Sequence, residues 1–144
     1  MHRRHLLAVL PAFFATRAAA YQVTKTEAEW RAQLTAAQFQ VLRQSGTERA
    51  YTSPLCDEHR RGLFACAGCD LSLFASDSKF ESGTGWPSFW QPLARAVQTA
   101  PDGDRTEVRC LRCGGHMGHV FDDGPQPTGL RYCINGVALI FHSA

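Results

Sequence analysis

Apolar and polar positions alternate in three different ways along this chain. Over residues 6–15 the chain is apolar except at Pro11; this run follows Arg3-Arg4 and leads to Ala18-Ala19-Ala20. A basic start, a short apolar centre and small closing residues are the layout of a secretory leader, with cleavage expected after Ala20. Over residues 26–44 the pattern becomes helical: Trp30, Leu34, Ala37, Val41 and Leu42 recur at spacings of three and four. Thr26 with Glu29 three residues later predicts a capping box, and Gly46 predicts the helix end. Beyond Gly46, short apolar stretches are punctuated by Gly62, Gly83-Thr84-Gly85, Pro101-Asp102-Gly103, Gly114-Gly115 and Gly124-Pro125. That punctuation predicts a small all-β domain, with its clearest strands at 105–109 and 129–141 and a slack loop at 122–128.

Composition narrows the picture. At 144 residues, 44% hydrophobic and 19% charged, the chain suits one globular domain with a single core. No apolar run reaches the ~18–20 residues of a membrane span, so no span is expected. The formal charge is +2, but Arg3, Arg4 and Arg17 all lie in the leader. Removing residues 1–20 leaves 12 basic residues against 13 acidic ones, a net charge of −1. The basic balance therefore belongs to the leader and gives no reason to expect a nucleic-acid partner. The domain reading is a leader over 1–20, an exported, periplasmic location and a mature domain over 21–144. If the leader is not functional, the location is cytoplasmic. Arg3-Arg4 before His5-Leu6-Leu7 also resembles a twin-arginine signal.

Six cysteines carry the chemistry. Cys66-Ala67-Gly68-Cys69 and Cys110-Leu111-Arg112-Cys113 are two Cys-x-x-Cys knuckles separated by 40 residues. Two such knuckles can wrap one tetrahedral Zn²⁺ as four thiolates. With all four positions filled by sulfur, such a zinc is structural and leaves no place for a substrate. A redox dithiol, two disulfides or an iron centre are the competing readings. Gly68 and Gly114-Gly115 suit the tight turns of the knuckles. Cys133 lies in Arg131-Tyr132-Cys133-Ile134-Asn135. Strand alternation would put Arg131, Cys133 and Asn135 on one face and Tyr132 and Ile134 on the other. A guanidinium beside a thiol favours the thiolate; an inert core cysteine is the alternative. Cys56 follows Ser53-Pro54-Leu55 in a polar, loop-like setting. His59 and His142 read as solvated surface residues.

Three longer motifs accompany the knuckles in order: Gly83-Thr84-Gly85-Trp86-Pro87-Ser88-Phe89, His116-Met117-Gly118-His119-Val120-Phe121 and Arg131-Tyr132-Cys133-Ile134-Asn135. Together they resemble the methionine sulfoxide reductase B family, in its zinc-containing type, from about Trp30 to Phe141. Met117 stands where leucine is usual in that family, and Gly136 where serine is usual. The resemblance implies a mainly β, tent-like fold of two antiparallel sheets with short N-terminal helices. It implies Cys133 as nucleophile and Trp86, His116, His119, Phe121 and Asn135 around the substrate. Arg131 would stand beside the nucleophile, and Cys66, Cys69, Cys110 and Cys113 would hold one zinc ion. Many members carry a resolving cysteine between the knuckles, where this chain has none; others place it as Cys56 is placed here.

The chemistry implied is reduction of methionine R-sulfoxide, peptide-bound or free. Cys133 would attack the sulfoxide sulfur and become a sulfenic acid. His119 or His116 would supply or orient a proton. Trp86 and Phe121 would hold the S-methyl group, and Asn135 would bond the sulfoxide oxygen or a histidine. Cys56 would condense with Cys133, and a thioredoxin-like dithiol would reduce the disulfide. The resemblance implies repair of oxidised proteins by a monomer. A zinc-ribbon binding module and a general thiol–disulfide oxidoreductase are the rival readings.

Overall fold

The computed structural model describes residues 20–144. The leader over 1–20, its twin-arginine pair and its cleavage site lie outside the described residues except for Ala20. Two short helices open the domain, α1 at Glu27–Gln33 and α2 at Ala36–Gln44. Nine strands follow: β1 Gly62–Cys66, β2 Ser72–Ala75, β3 Lys79–Phe80, β4 Ser88–Phe89, β5 Val97–Asp102, β6 Arg105–Cys110, β7 His116–Phe121, β8 Arg131–Ile134 and β9 Leu139–Ser143. They form a three-stranded sheet, β2-β1-β9, and a six-stranded sheet, β3-β4-β8-β7-β6-β5, with every pairing antiparallel. Among the described residues no helix is long and apolar enough to cross a membrane.

The single helix expected over 26–44 is two. Thr26 caps α1 through the expected box with Glu29, but Thr35 and Gln38 form a second box that opens α2. Leu34 between them is extended. A threonine whose hydroxyl accepts a backbone N–H starts a helix more readily than it continues one. The left-handed residue closing α2 is Ser45, at φ 53°, while the Gly46 N–H bonds the Gln40 carbonyl at 2.9 Å.

The strand expected over 129–141 also divides. Residues 131–134 pair in the large sheet, Gly136–Ala138 make a 3-10 turn, and 139–143 pair in the small sheet. The Glu48 carboxylate accepts the N–H groups of Gly136 and Val137, which turns the chain there. The aromatic core fills the space between the sheets. Phe74 of β2 stacks on Phe89 of β4 with centroids 4.4 Å apart, and Phe64 of β1 meets Phe89 edge-on at 5.0 Å. Tyr132 joins them through Phe74 at 5.9 Å, and Ile134 is fully buried. The Tyr132 and Ile134 face of β8 is therefore the core face, as alternation predicts.

β7 and β8 meet unusually closely. A Cβ at Gly118 would lie 2.0 Å from the Cys133 carbonyl oxygen. β7 also carries a bulge against β6: Val108 pairs with Gly118, and Arg109 pairs with His116, leaving Met117 unpaired. The extra residue restores the phase of the strand, so His116 shares a face with His119, which alternation alone would deny. Gly118→Ala should destabilise the fold by about 3 kcal/mol, since backbone must move to admit the methyl. Gly103→Ala, at φ 62° in open space, should cost only about 1 kcal/mol. Urea unfolding of both variants checks the ordering.

Candidate active site and metal centre

Cross-strand register assembles the site on the outer face of the large sheet. Ser88 of β4 pairs with Cys133 of β8, Cys133 with His119 of β7, and His119 with Glu107 of β6. Directly opposed residues point the same way, so these four form one row. Phe121 opposes Arg131 in the next row, with the guanidinium 4.4 Å from the ring centre. A cleft of about 120 Å³ opens here, lined by Thr47, Trp86, Arg105, Gly118, His119, Phe121, Cys133 and Asn135. Of the sequence-expected site residues, Cys133, His119, Trp86, Phe121 and Asn135 meet at this cleft. Arg131 stands beside it, and His116 and Cys56 lie outside it.

His116 is 1% exposed and sits behind His119, with ring centres 5.5 Å apart. Its Nδ1 pairs with Glu107 Oε2 at 2.5 Å, while its Nε2 is buried with no partner among the described residues. Burial holds its pKa below the usual histidine value despite Glu107. Glu107 also accepts Arg109 Nε at 2.6 Å, and its pKa is lowered even though burial opposes this. His119 Nε2 bonds Asp102 Oδ2 at 2.7 Å; that oxygen also meets Arg105 Nη2 at 3.4 Å. Asp102 and Glu107 escaped sequence reasoning. They come from β5 and β6 and meet the histidines only through strand pairing; no motif links them.

Cys133 is half-buried, and burial pushes its thiol above the ordinary cysteine value. The Arg131 charge and the Thr84 and Arg131 hydrogen bonds pull it back without cancelling that rise. Arg131 thus favours the thiolate, and burial outweighs it. Arg131 also shares its guanidinium with Asp123, through Nε at 2.8 Å and Nη2 at 3.1 Å. Asn135 is not a strand residue; it opens the 3-10 turn after β8. Its Oδ1 accepts the Glu48 N–H at 2.9 Å and its Nδ2 donates to the Met117 carbonyl at 3.0 Å. At Gly136 a Cβ would lie 1.9 Å from Ser53 Oγ, so Ser53 occupies the space a serine at 136 would use.

Cys56 lies in a 3-10 turn, Pro54–Asp57, and lines a neighbouring cleft whose wall Trp86 shares. Its Sγ donates to the Gly85 carbonyl at 3.3 Å. Burial and Glu48 push the Cys56 thiol up, with Lys79 opposing. The Lys79 ammonium anchors the turn by donating to the Cys56 carbonyl at 2.8 Å. His59 and His142 are exposed; His142 pairs with Asp70.

The four knuckle cysteines converge where the two sheets meet, Cys66 closing β1 and Cys110 closing β6. Their sulfurs all lie within 4.8 Å of one another, with Cys66–Cys113 at 3.7 Å and Cys69–Cys110 at 3.5 Å. Tetrahedral thiolates at the usual zinc–sulfur length stand about 3.8 Å apart, so the donor set fits such an ion. Gly114, at φ 72°, and Asp70, at φ 62°, turn the two knuckles. Arg43 Nη1 bonds the Cys113 carbonyl at 2.9 Å and Gln33 Nε2 bonds the Gly68 carbonyl at 2.7 Å, so both helices clasp the cluster.

Comparison with known proteins agrees with this geometry. The SelR domain family matches residues 34–143. The chain is similar to the peptide methionine sulfoxide reductase MsrB of Agrobacterium fabrum, at 50% identity over 83% of this chain and 93% of the relative. It is similar to the MsrB of Thiobacillus denitrificans at 54% identity, covering 82% and 93%. The MsrB of Leptospira interrogans shares 49% identity, covering 84% and 96%.

The cluster sets a prediction. The purified chain should carry one equivalent of a divalent metal. Cys110→Ser should carry none and melt on the order of 10 °C lower. Elemental analysis with calorimetry checks both, and a metal-free wild type with an unchanged melting temperature would overturn the four-sulfur reading.

Proposed function

The chain belongs to the SelR family of methionine sulfoxide reductases of the B type, and on that premise we propose that it reduces the R-sulfoxide of methionine with Cys133 as nucleophile. The reading is carried by one observation: Cys133, Trp86, His119, Phe121 and Asn135 line a single small cleft. At about 120 Å³ the cleft suits the end of one side chain.

The sulfoxide enters with its methyl group against Trp86 and Phe121, whose flat apolar faces suit it. Cys133 attacks the sulfur as a thiolate, with Arg131 and Thr84 offsetting part of the desolvation that opposes ionisation. A proton reaches the sulfoxide oxygen through His119, which Asp102 orients. His116 backs His119 from the buried side and is itself held by Glu107. The oxygen passes to Cys133, giving the sulfenic acid, and methionine leaves. The Cys56 thiol then attacks that sulfur, forming the disulfide and releasing water. A thioredoxin-like dithiol reduces the disulfide by exchange. For the two sulfurs to join, Cys56 Sγ must release the Gly85 carbonyl it bonds.

Zinc is the metal that best suits four cysteine sulfurs at this spacing, and it serves as a closed structural cross-link between the sheets. The biological role follows as repair of oxidised proteins. Residues 1–20 act as an export leader, and folding around zinc before export would protect the thiols from an oxidising compartment. Replacing Arg3-Arg4 by Lys-Lys should then leave the protein in the cytoplasm; undiminished export would remove the folded-cargo route.

The cycle is tested with peptides bearing R- or S-sulfoxide. Wild type should reduce the R form alone. Cys133→Ser should be inactive with any reductant. Cys56→Ser should retain turnover with dithiothreitol and lose it with thioredoxin. Reduction of the S form, or an active Cys133→Ser, would sink the proposal.

A further inference from the structure

We propose that Glu48 is the positioning residue of this cleft: its main chain holds Trp86 and Asn135, and its carboxylate anchors that main chain to the turn after Cys133. The inference rests on the sulfoxide-reducing reading of the cleft. Glu48 lies between α2 and the Pro54–Asp57 turn, in a stretch with no helix or strand to place it. Its position must come from other bonds, and it makes four of them. The Glu48 carbonyl accepts the indole Nε1–H of Trp86 at 3.1 Å. Its N–H donates to Asn135 Oδ1 at 2.9 Å. Its carboxylate accepts two consecutive backbone N–H groups, from Gly136 and from Val137, the latter at 3.2 Å.

The charge is half-buried, and among the described residues no cation pairs with it. Burial pushes its pKa up, while the two N–H bonds favour the ionised form. Bonds from backbone N–H to a carboxylate are the stronger kind, so the turn and residue 48 behave as one unit. That unit starts two residues after Cys133 and reaches the opposite wall of the cleft at Trp86. Thr47, immediately before it, lines the cleft directly. Glu48 itself does not line the cleft, so it acts through Trp86 and Asn135. A shift of about 1 Å in such supports can cost on the order of 100-fold in rate.

A residue that merely capped the turn would change stability and nothing else. The experiment compares Glu48→Ala and Glu48→Gln with wild type. It reads kcat and KM for an R-sulfoxide peptide with dithiothreitol, together with the indole N–H resonance of Trp86, assigned through Trp86→Phe. Glu48→Ala is expected to raise KM on the order of tenfold, to shift the Trp86 indole signal and to speed its solvent exchange. Glu48→Gln, whose one carbonyl oxygen can still accept one of the two N–H groups, should fall between. A folded Glu48→Ala with wild-type KM and an unmoved indole signal overturns the proposal. If Glu48→Ala does not fold, Glu48→Gln decides on the same two readouts. Should the wild type reduce no sulfoxide, the functional reading fails, yet the indole signal still decides whether Glu48 holds Trp86.

Discussion

The site depends on how closely β7 can approach β8. At Gly118 the backbone leaves no room for a side chain beside the Cys133 carbonyl. That approach fixes the register in which His119 opposes Cys133 and Phe121 opposes Arg131. Side chains directly across an antiparallel pair are the nearest neighbours a sheet offers. Cys133 and His119 are therefore placed by rigid backbone. The bulge at Met117 adds the second histidine to the same face, and Glu107 and Asp102 complete the arrangement from the next two strands.

Electrostatics within the site are a balance of opposed terms. Burial that shapes the cleft also disfavours a charged sulfur, and Arg131 offsets only part of that cost. Arg131 is itself shared with Asp123, which draws part of its charge away from Cys133. Cys56 is raised in the same direction, by burial and by Glu48.

The sulfur cluster plays a different part. It sits where β1 of the small sheet and β6 of the large sheet end, and both helices bond to its knuckles. An ion held by all four sulfurs would tie the end of β1 to the end of β6. The cleft lies on the outer face of the large sheet, away from these sulfurs. The sulfur cluster and the cleft are thus separate places in one chain.

Much of this was legible in the residues. The two knuckles announced a four-sulfur centre because metal ligation needs close pairs, and close pairs are local in sequence. The motifs around Trp86, His119 and Cys133 supply residues that the structure brings to one cleft. Thr26 with Glu29 marks a helix start in the residues alone, and Thr35 with Gln38 is a second pair of the same kind that divides the segment into two helices. Only the tertiary structure decided the rest. Nothing local says that the chain leaves the large sheet after Ile134, because the carboxylate that turns it comes from Glu48, far away in sequence. Nothing local pairs His116 with Glu107 or His119 with Asp102. The direction of the Cys133 shift also depended on burial, which packing alone sets. The sequence by itself determined which residue types were available for the chemistry. Strand register and burial, which arise from contacts between distant segments, decided which of them meet and in what state.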